Sequence, residues 1–474
     1  MPKDDMPDVI VLLPGISGSR LTKDGRVVWG FAPSALASIF LSGGDSLERG
    51  LLLREDPVED DDLGDGVVAD ELIQDLHLIP GFWKIDGYTK VLETIKANFK
   101  VTPGENLFPF PYDWRRDNRV AARKLERSCN QWLKTWRAKS GNDKAKLILI
   151  AHSMGGLVAR YFLESQQGWK DTRALITFGT PFRGSLNAVD TLANGLRMGP
   201  FGTFDFSKTA RSFTSIYQLL PIYPCYDDGG GKLLRVGDIE GIPNVDAGRA
   251  GAALRFHREI EEAVMRNRNL GDFEHEGYKV YPIAGTEQST SQSAVLNGVG
   301  VELLQSHDGK NYGGDGTVAS VSAQPIEHTS GESSVFVATR HGSIQNADAV
   351  LTHIRGLIKS FYFDLGSFRG SAGALLSDLV RVDLQGPDLL TTDEPVMIQA
   401  RSMREDVELE VKLTDGDGRH IATRTMTRST HGMFRAEFPR QPANSYRVRV
   451  SSPAGGVEPA EDSFAVGNLA AAPA

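Results

Sequence analysis

Four aliphatic residues, Leu147 to Ile150, run into Ala151-His152-Ser153-Met154-Gly155-Gly156 and then into the helical segment Leu157 to Leu163. A continuous apolar run of that length fits a strand buried on both faces, and such strands belong to parallel sheets covered by helices. The connection constrains the fold further. To pass from strand to helix in so few residues the chain must turn until neighbouring backbones nearly touch, which small residues two before and two after the serine allow. The serine then stands at the carboxyl end of a sheet, where the first amides of the following helix stabilise negative charge.

The same alternation extends through the first three quarters of the chain. Val9 to Leu13, Leu107 to Phe110, Leu175 to Phe178, Lys279 to Ile283 and Val335 to Val337 read as strands. Tyr88 to Phe99, Asn118 to Lys139 and Asn346 to Phe361 read as helices. In the second of these, Ala121, Leu125, Cys129, Trp132 and Trp136 recur near the helical period, which makes Cys129 a packing residue. The expected fold class is therefore α/β, with residues 1–365 forming one domain. Between about 182 and 276 the alternation lapses into an aromatic stretch with Gly and Pro, which reads as a cap inserted in the sheet. A Gly/Ser/Ala joint, Gly366 to Gly373, precedes short alternating runs separated by turn signals such as Asp415-Gly-Asp-Gly418. Residues 378–467 are expected to form a second domain, a β-sandwich of immunoglobulin-like size.

Composition excludes several classes. Lys plus Arg total 52 against 61 Asp plus Glu, a net charge of −9, so no global positive field exists to hold nucleic acid. The chain has no apolar run long enough to span a bilayer, and its acidic first residues do not resemble a signal peptide. Two cysteines, Cys129 and Cys225, are too few for a disulfide framework. A cytoplasmic location is the expectation, with peripheral contact to a membrane.

A serine hydroxyl is a weak nucleophile at neutral pH and needs a base and an orienting acid from elsewhere. Asp315 sits in Gly313-Gly-Asp-Gly-Thr-Val318, after one expected strand, and His341 follows another. Ser153, Asp315 and His341 thus appear in the chain order of an α/β-hydrolase. Asp308 with His307 or His328 is the rival set, without the glycine flanks or the strand-end placement. For an oxyanion hole, the backbone amides of Ile16 and Met154 are the candidates, since Pro14-Gly15-Ile16-Ser17-Gly18 turns tightly at the end of the first strand.

Several strings occur together in the order seen in the lecithin:cholesterol acyltransferase family. They are Pro14-Gly15, Pro111-Tyr-Asp-Trp-Arg115, Ala151-His-Ser-Met-Gly155, Arg211-Ser-Phe-Thr-Ser-Ile-Tyr-Gln-Leu-Leu-Pro221, Gly314-Asp-Gly-Thr-Val318 and His341. The chain resembles that family over roughly residues 8 to 360. The resemblance implies an α/β-hydrolase that forms an acyl-enzyme on Ser153 and passes the acyl group to water or to an alcohol. It also implies Asp315 and His341 as the remaining triad, Ile16 and Met154 as the oxyanion hole, and an acyl lipid or phospholipid as substrate. The chain departs from the family in lacking the paired lid cysteines of the animal members and in having Ile16 where some members carry an acid. The alternative is a non-catalytic lipid- or partner-binding protein on the same scaffold.

Other segments have readings of their own. Asp113 and Arg115 are expected to pair beneath Trp114 as a brace, and the basic residues from Arg115 to Lys139 to form mostly a solvated helix face. Trp29 to Leu41 and Phe201 to Tyr223 suit a lid or an interfacial surface as well as a buried helix. Glu59 to Asp62 reads as a solvated loop. No metal and no cofactor is called for, and the sandwich would carry a ligand of unknown kind. Because every candidate catalytic residue precedes the joint, hydrolysis of short esters is expected to survive deletion of the chain after about Gly366.

Overall fold

The computed structural model describes residues 2–30, 45–74, 86–198, 204–328, 334–363, 382–402, 407–429 and 432–467. Strands β1 (Val9–Leu13), β2 (Leu107–Pro109), β3 (Leu147–His152), β4 (Thr172–Phe178), β5 (Lys279–Gly285) and β6 (Val335–Val337) make one sheet. Its order is β6-β5-β4-β3-β1-β2, and every neighbouring pair is parallel. The chain builds outward from β1 to β2, returns to the other side of β1 at β3, and continues from there. Strand order therefore reverses between β1 and β3, and the crevice at the carboxyl ends of such a pair is where open α/β sheets bind ligands.

Every residue of β1 and β3 is buried, and alternate side chains enter different cores. Val9, Val11, Leu147 and Leu149 pack with Leu125 and Cys129 of α2 (Asn118–Ser140) and Leu157 of α3 (Gly155–Ser165). Ile10, Leu12, Ile148 and Ile150 pack on the other face with Val91 and Ile95 of α1 (Thr89–Asn98) and Val350 and Ile354 of α6 (Asp348–Ser360). Burial on both faces is why these strands read as unbroken apolar runs. A parallel sheet covered on both sides, with a serine turn at the end of a central strand, is the α/β-hydrolase arrangement.

Between β4 and β5 the chain forms α4 (Leu186–Ala193), short helices at Ser207–Ser212 and Thr214–Tyr217, and α5 (Ala247–Arg268). Here the interfacial reading is corrected. Phe206, Phe213 and Tyr217 are buried in the core shared with α2 and α3, and Phe204 and Tyr223 pack against it. Trp29 is also buried, donating its indole N–H to the Ser17 carbonyl at 2.8 Å and lying edge-on to Trp114. These aromatic side chains meet other rings edge-on inside the core, Phe213 against both Phe206 and Trp114. Residues 31–41 and 201 lie outside the described residues. Among the described residues no helix is long and apolar enough to cross a membrane.

The basic face of α2 also differs at its start. Arg115 and Arg116 are buried just before the helix. Arg115 binds Asp113 at 2.6 Å and Asp65 at 3.0 Å, and Arg116 binds Asp56 at 2.8 Å with the carbonyls of Pro57, Asp60 and Asp61. Two arginines thus clamp the acidic segment 56–65, while the Glu59 to Asp62 side chains stay exposed.

The carboxy-terminal strands form two further sheets. One has the order β7-β9-β13-β12 and the other β8-β15-β14-β10-β11, where β7 is Val382–Gln385, β8 Leu389–Thr391, β9 Val396–Ser402, β10 Glu410–Asp415, β11 His420–Thr425, β12 Thr427–Arg428, β13 Met433–Phe438, β14 Asn444–Ser451 and β15 Ala460–Gly467. All pairs are antiparallel except β8 with β15. Side chains from both sheets, among them Val382, Ile398, Phe438, Val411, Val448 and Phe464, share one core.

His257 of α5 is buried and its ring Nε2 donates to the Gln218 carbonyl at 2.8 Å. Burial lowers its pKa to about 4, whereas in an unfolded chain it would titrate near 6.5. The unfolded state then binds the extra proton between those values, so this residue's contribution to stability is lost as pH falls from about 6.5 through about 4. Melting temperatures measured across that range should fall more steeply for the natural chain than for His257→Gln, which has no proton to gain. Parallel curves would show that His257 does not set the acid limit.

Candidate active site

The turn after β3 places Ser153 at φ 51°, a left-handed conformation that a non-glycine residue adopts only when its surroundings enforce it. Enforcement comes from both sides. The Ser153 amide donates to the Phe178 carbonyl at 2.8 Å, and the Thr180 hydroxyl donates to the Ser153 carbonyl at 2.9 Å. A Cβ on Gly156 would lie 2.0 Å from the Thr180 Oγ1, so only glycine lets α3 start this close to the end of β4. Ahead of the serine, a Cβ on Gly15 would lie 2.8 Å from the Ser153 Cβ, which brings the loop after β1 against Ser153.

Across the sheet, His341 opens a 3-10 turn (His341–Asn346) after β6, and Asp315 occupies the loop after β5. The His341 Nε2 lies 2.8 Å from the Ser153 Oγ and its Nδ1 lies 2.7 Å from Asp315 Oδ2. The carboxylate can only accept, so Nδ1 carries the proton and Nε2 accepts from the serine hydroxyl. Asp315 is itself fixed: its Oδ1 accepts from the amides of Thr317 at 2.9 Å and Val318 at 2.7 Å, and its carbonyl accepts from the His341 amide at 2.9 Å. All three side chains are buried to 5% exposure or less. The pair also presses on β4, since a Cβ on Gly179 would fall 2.8 Å from Asp315 Oδ2 and 2.9 Å from His341 Nδ1.

The structure therefore brings together the three residues that the sequence singled out. Ile16 and Met154 are buried beside them, and among the described residues neither backbone amide has a hydrogen-bond acceptor within the protein. The rival residues lie elsewhere. His307 binds the Pro224 carbonyl at 2.8 Å through Nε2 and faces Asp308 at 3.7 Å, while His328 is half-buried beside Glu327. No group of three or more His, Cys, Asp or Glu among the described residues is arranged to hold a metal ion.

Sequence reasoning passed over a second layer. Tyr88 and His152 are hydrogen-bonded to each other beneath the serine turn; His152 ends β3 next to Ser153, but nothing in the sequence links it to Tyr88, which lies 64 residues earlier. The carboxy-terminal strands reach the site as well. A cavity of about 240 Å3 beside Asp315 and His341 is lined by Asp190 of α4, Arg340, Asp388 of the bend between β7 and β8, and Asp462 and Ser463 of β15. Arg340 donates to the Leu384 carbonyl at 2.9 Å and faces Asp462 at 3.4 Å. The Gln288 amide pairs with the edge of β7, donating to the Val382 carbonyl and accepting from the Leu384 amide, both at 3.2 Å. The Ser463 hydroxyl donates to Asp86, and Arg449 joins Glu461 at 2.8 Å to Asp348 at 2.6 Å.

Over residues 82–238 the chain matches the lecithin:cholesterol acyltransferase family. That stretch carries the Tyr112 to Arg115 brace and Ser153, and the resemblance read from the motifs is borne out there. Among curated relatives, the human lysosomal phospholipase A and acyltransferase is 29% identical over 152 residues, covering 30% of this chain and 35% of that protein. The Arabidopsis thaliana lecithin-cholesterol acyltransferase-like 4 is 36% identical over 111 residues, covering 22% and 19%. The chain thus matches about a third or less of the length of these relatives. Among solved structures, a Bacillus licheniformis lipase in its propeptide form aligns at a TM-score of 0.33 with 14% identity, over 98% of this chain and 75% of that one.

Because three residues that line the cavity, Asp388, Asp462 and Ser463, come from beyond residue 381, ending the chain at Gly366 should lower turnover of a short water-soluble ester at least tenfold. It should also lower the rate of labelling by a fluorophosphonate. A folded truncation that retained the full rate would mean the pocket is complete without those strands.

Proposed function

We propose that this chain is a serine acyl-ester hydrolase or O-acyltransferase of the lecithin:cholesterol acyltransferase type. The observation that carries the reading is the buried hydrogen-bonded series Ser153–His341–Asp315 at the carboxyl end of a parallel sheet. The family match over residues 82–238 and the phospholipase and acyltransferase relatives support the same reaction class.

In this reading His341 Nε2 takes the Ser153 proton as Oγ attacks the ester carbonyl carbon, and Asp315 stabilises the imidazolium that results. The carbonyl oxygen becomes an oxyanion and accepts from the amides of Ile16 and Met154, a stabilisation typically worth several kcal/mol of the barrier. His341 then returns the proton to the departing alcohol, leaving the acyl group on Ser153. Water or an alcohol, activated by the same base, releases it. The substrate class is an acyl lipid or phospholipid. Residues 1–365 are the catalytic domain, with a cap at about 182–276, and residues 378–467 a β-sandwich of immunoglobulin-like type.

Ser153→Ala and His341→Ala should each lower turnover by several orders of magnitude while the fold persists, because residues acting as a unit fail together. Lipid mass spectrometry after incubating natural chain and Ser153→Ala with mixed membrane lipids would read both the lipid consumed and the acceptor used. A folded natural chain that neither consumed lipid nor reacted with fluorophosphonate would favour the non-catalytic, lipid-binding alternative.

Peripheral contact with a membrane and a cytoplasmic location belong to the same proposal, the former supported by the apolar run from Phe31 to Leu41. Phe40→Asp should reduce turnover on phospholipid vesicles at least fivefold more than on a soluble ester. Equal losses on the two substrates would remove the interfacial role.

A further inference from the structure

Beneath the serine turn, Tyr88 and His152 form a continuous buried chain of hydrogen bonds between two elements of the site. The Gly15 amide lies 2.8 Å from the Tyr88 hydroxyl, the hydroxyl lies 2.9 Å from His152 Nδ1, and His152 Nε2 lies 3.0 Å from the His341 carbonyl oxygen. Tyr88 and His152 are 0% and 1% exposed, so water does not compete for these bonds.

Elementary chemistry fixes every proton in this chain. A carbonyl only accepts, so His152 Nε2 bears a hydrogen. The ring is neutral, because burial with His341 close by lowers its pKa to about 3. Its Nδ1 is then an acceptor, the Tyr88 hydroxyl donates to it, and the phenolic oxygen accepts from the Gly15 amide. The direction is single: Gly15 N–H to Tyr88, Tyr88 O–H to His152, His152 N–H to His341. With Nε2 engaged by a carbonyl and Nδ1 by the tyrosine, His152 has no lone pair free to act as a second base at Ser153.

The chain also has rigid supports. A Cβ on Gly18 would lie 2.7 Å from the Tyr88 hydroxyl, so the Gly15–Gly18 turn rests directly on it. The segment leading into Tyr88 is bonded to the His341 turn: the Asp86 amide donates to the Gly342 carbonyl at 2.9 Å, and the side-chain amides of Gln345 and Asn346 both donate to the Gly87 carbonyl at 3.0 Å. Displacing Tyr88 would move the loop that carries the Ile16 amide relative to the imidazole that serves Ser153.

We propose that Tyr88 and His152 are positioning residues that hold the Gly15–Ile16 loop in register with His341, so that the oxyanion donor and the base meet the same reacting carbonyl. The inference rests on the catalytic reading above. It assigns neither residue a contact with substrate. Its effect lies in transition-state geometry, where a displaced oxyanion donor loses part of the roughly 100- to 1,000-fold it can contribute.

The test uses the full-length protein and a soluble short-chain ester. Tyr88→Phe, which removes only the hydroxyl, should lower kcat about 10- to 100-fold with KM changed less than twofold, the pattern of an interaction expressed in the transition state. His152→Gln keeps one donor and one acceptor and should retain more activity than His152→Leu, which keeps neither. Because the two residues act in one chain, the loss in Tyr88→Phe/His152→Leu should not exceed the larger single loss by more than about threefold. Multiplicative losses, or kcat within twofold of the natural chain in folded Tyr88→Phe, would overturn the proposal. So would equal activity of folded His152→Gln and His152→Leu, a readout that does not depend on Tyr88→Phe folding. Ser153→Ala, measured alongside, separates the two layers: full activity there would overturn the catalytic reading itself, and with it this one.

Discussion

A single backbone turn imposes most of the local design. Holding Ser153 in a left-handed conformation between a buried strand and a helix brings the backbones after β1, β3 and β4 to within contact of one another. At those distances side chains must be absent or must serve as partners. Gly15, Gly156 and Gly179 meet the first condition, and Thr180, Tyr88 and His152 the second. Strain of this kind costs on the order of 1–3 kcal/mol per residue and persists only where neighbours over-determine it. The buried hydrogen bonds around Ser153 supply that over-determination.

The same logic explains why polar side chains are so deeply buried on this side of the sheet. A buried carboxylate or guanidinium without partners is expensive, whereas one satisfied at every lone pair and proton is tolerated and becomes rigid. Asp315 is held by two amides and an imidazole, and Arg115 and Arg116 are held by Asp113 and by carboxylates and carbonyls of the 51–65 segment. These groups add geometry more than stability. They fix loops that have no regular structure of their own, and those loops carry the site.

How much of this was legible follows from where each signal lies along the chain. Ser153, Asp315 and His341 were readable because the fold ties each to the end of a strand and because small residues crowd them. The central sheet was readable because β1 and β3 are buried on both faces and carry no polar residue before His152 to disguise them. The strand β15 was not. Its Glu461, Asp462 and Ser463 are polar yet buried, because Arg449, Arg340 and Asp86 meet them, two of these lying more than a hundred residues earlier. Periodicity reports on water and oil, and a strand whose buried polar residues meet charges from other elements looks to it like a loop. The aromatic residues of the 201–223 segment failed in the opposite sense. Their apolar surface was plain, but whether Phe213 or Tyr217 faces lipid or another aromatic ring depends on packing between elements far apart in sequence.

The buried polar contacts of β15 bear on the order in which the protein can be made. Synthesis runs from the amino terminus, and domains commonly begin to fold before the chain is complete. Ser153, Asp315 and His341 all leave the ribosome while Ser463 and Asp462 are still to be translated. Until then the partners that Ser463 and Asp462 give to Asp86 and Arg340 are missing, and with them part of the lining of the cavity beside His341. Strand β15 supplies that part of the lining, so a nascent chain can bring Ser153, His341 and Asp315 together before the cavity beside them is complete.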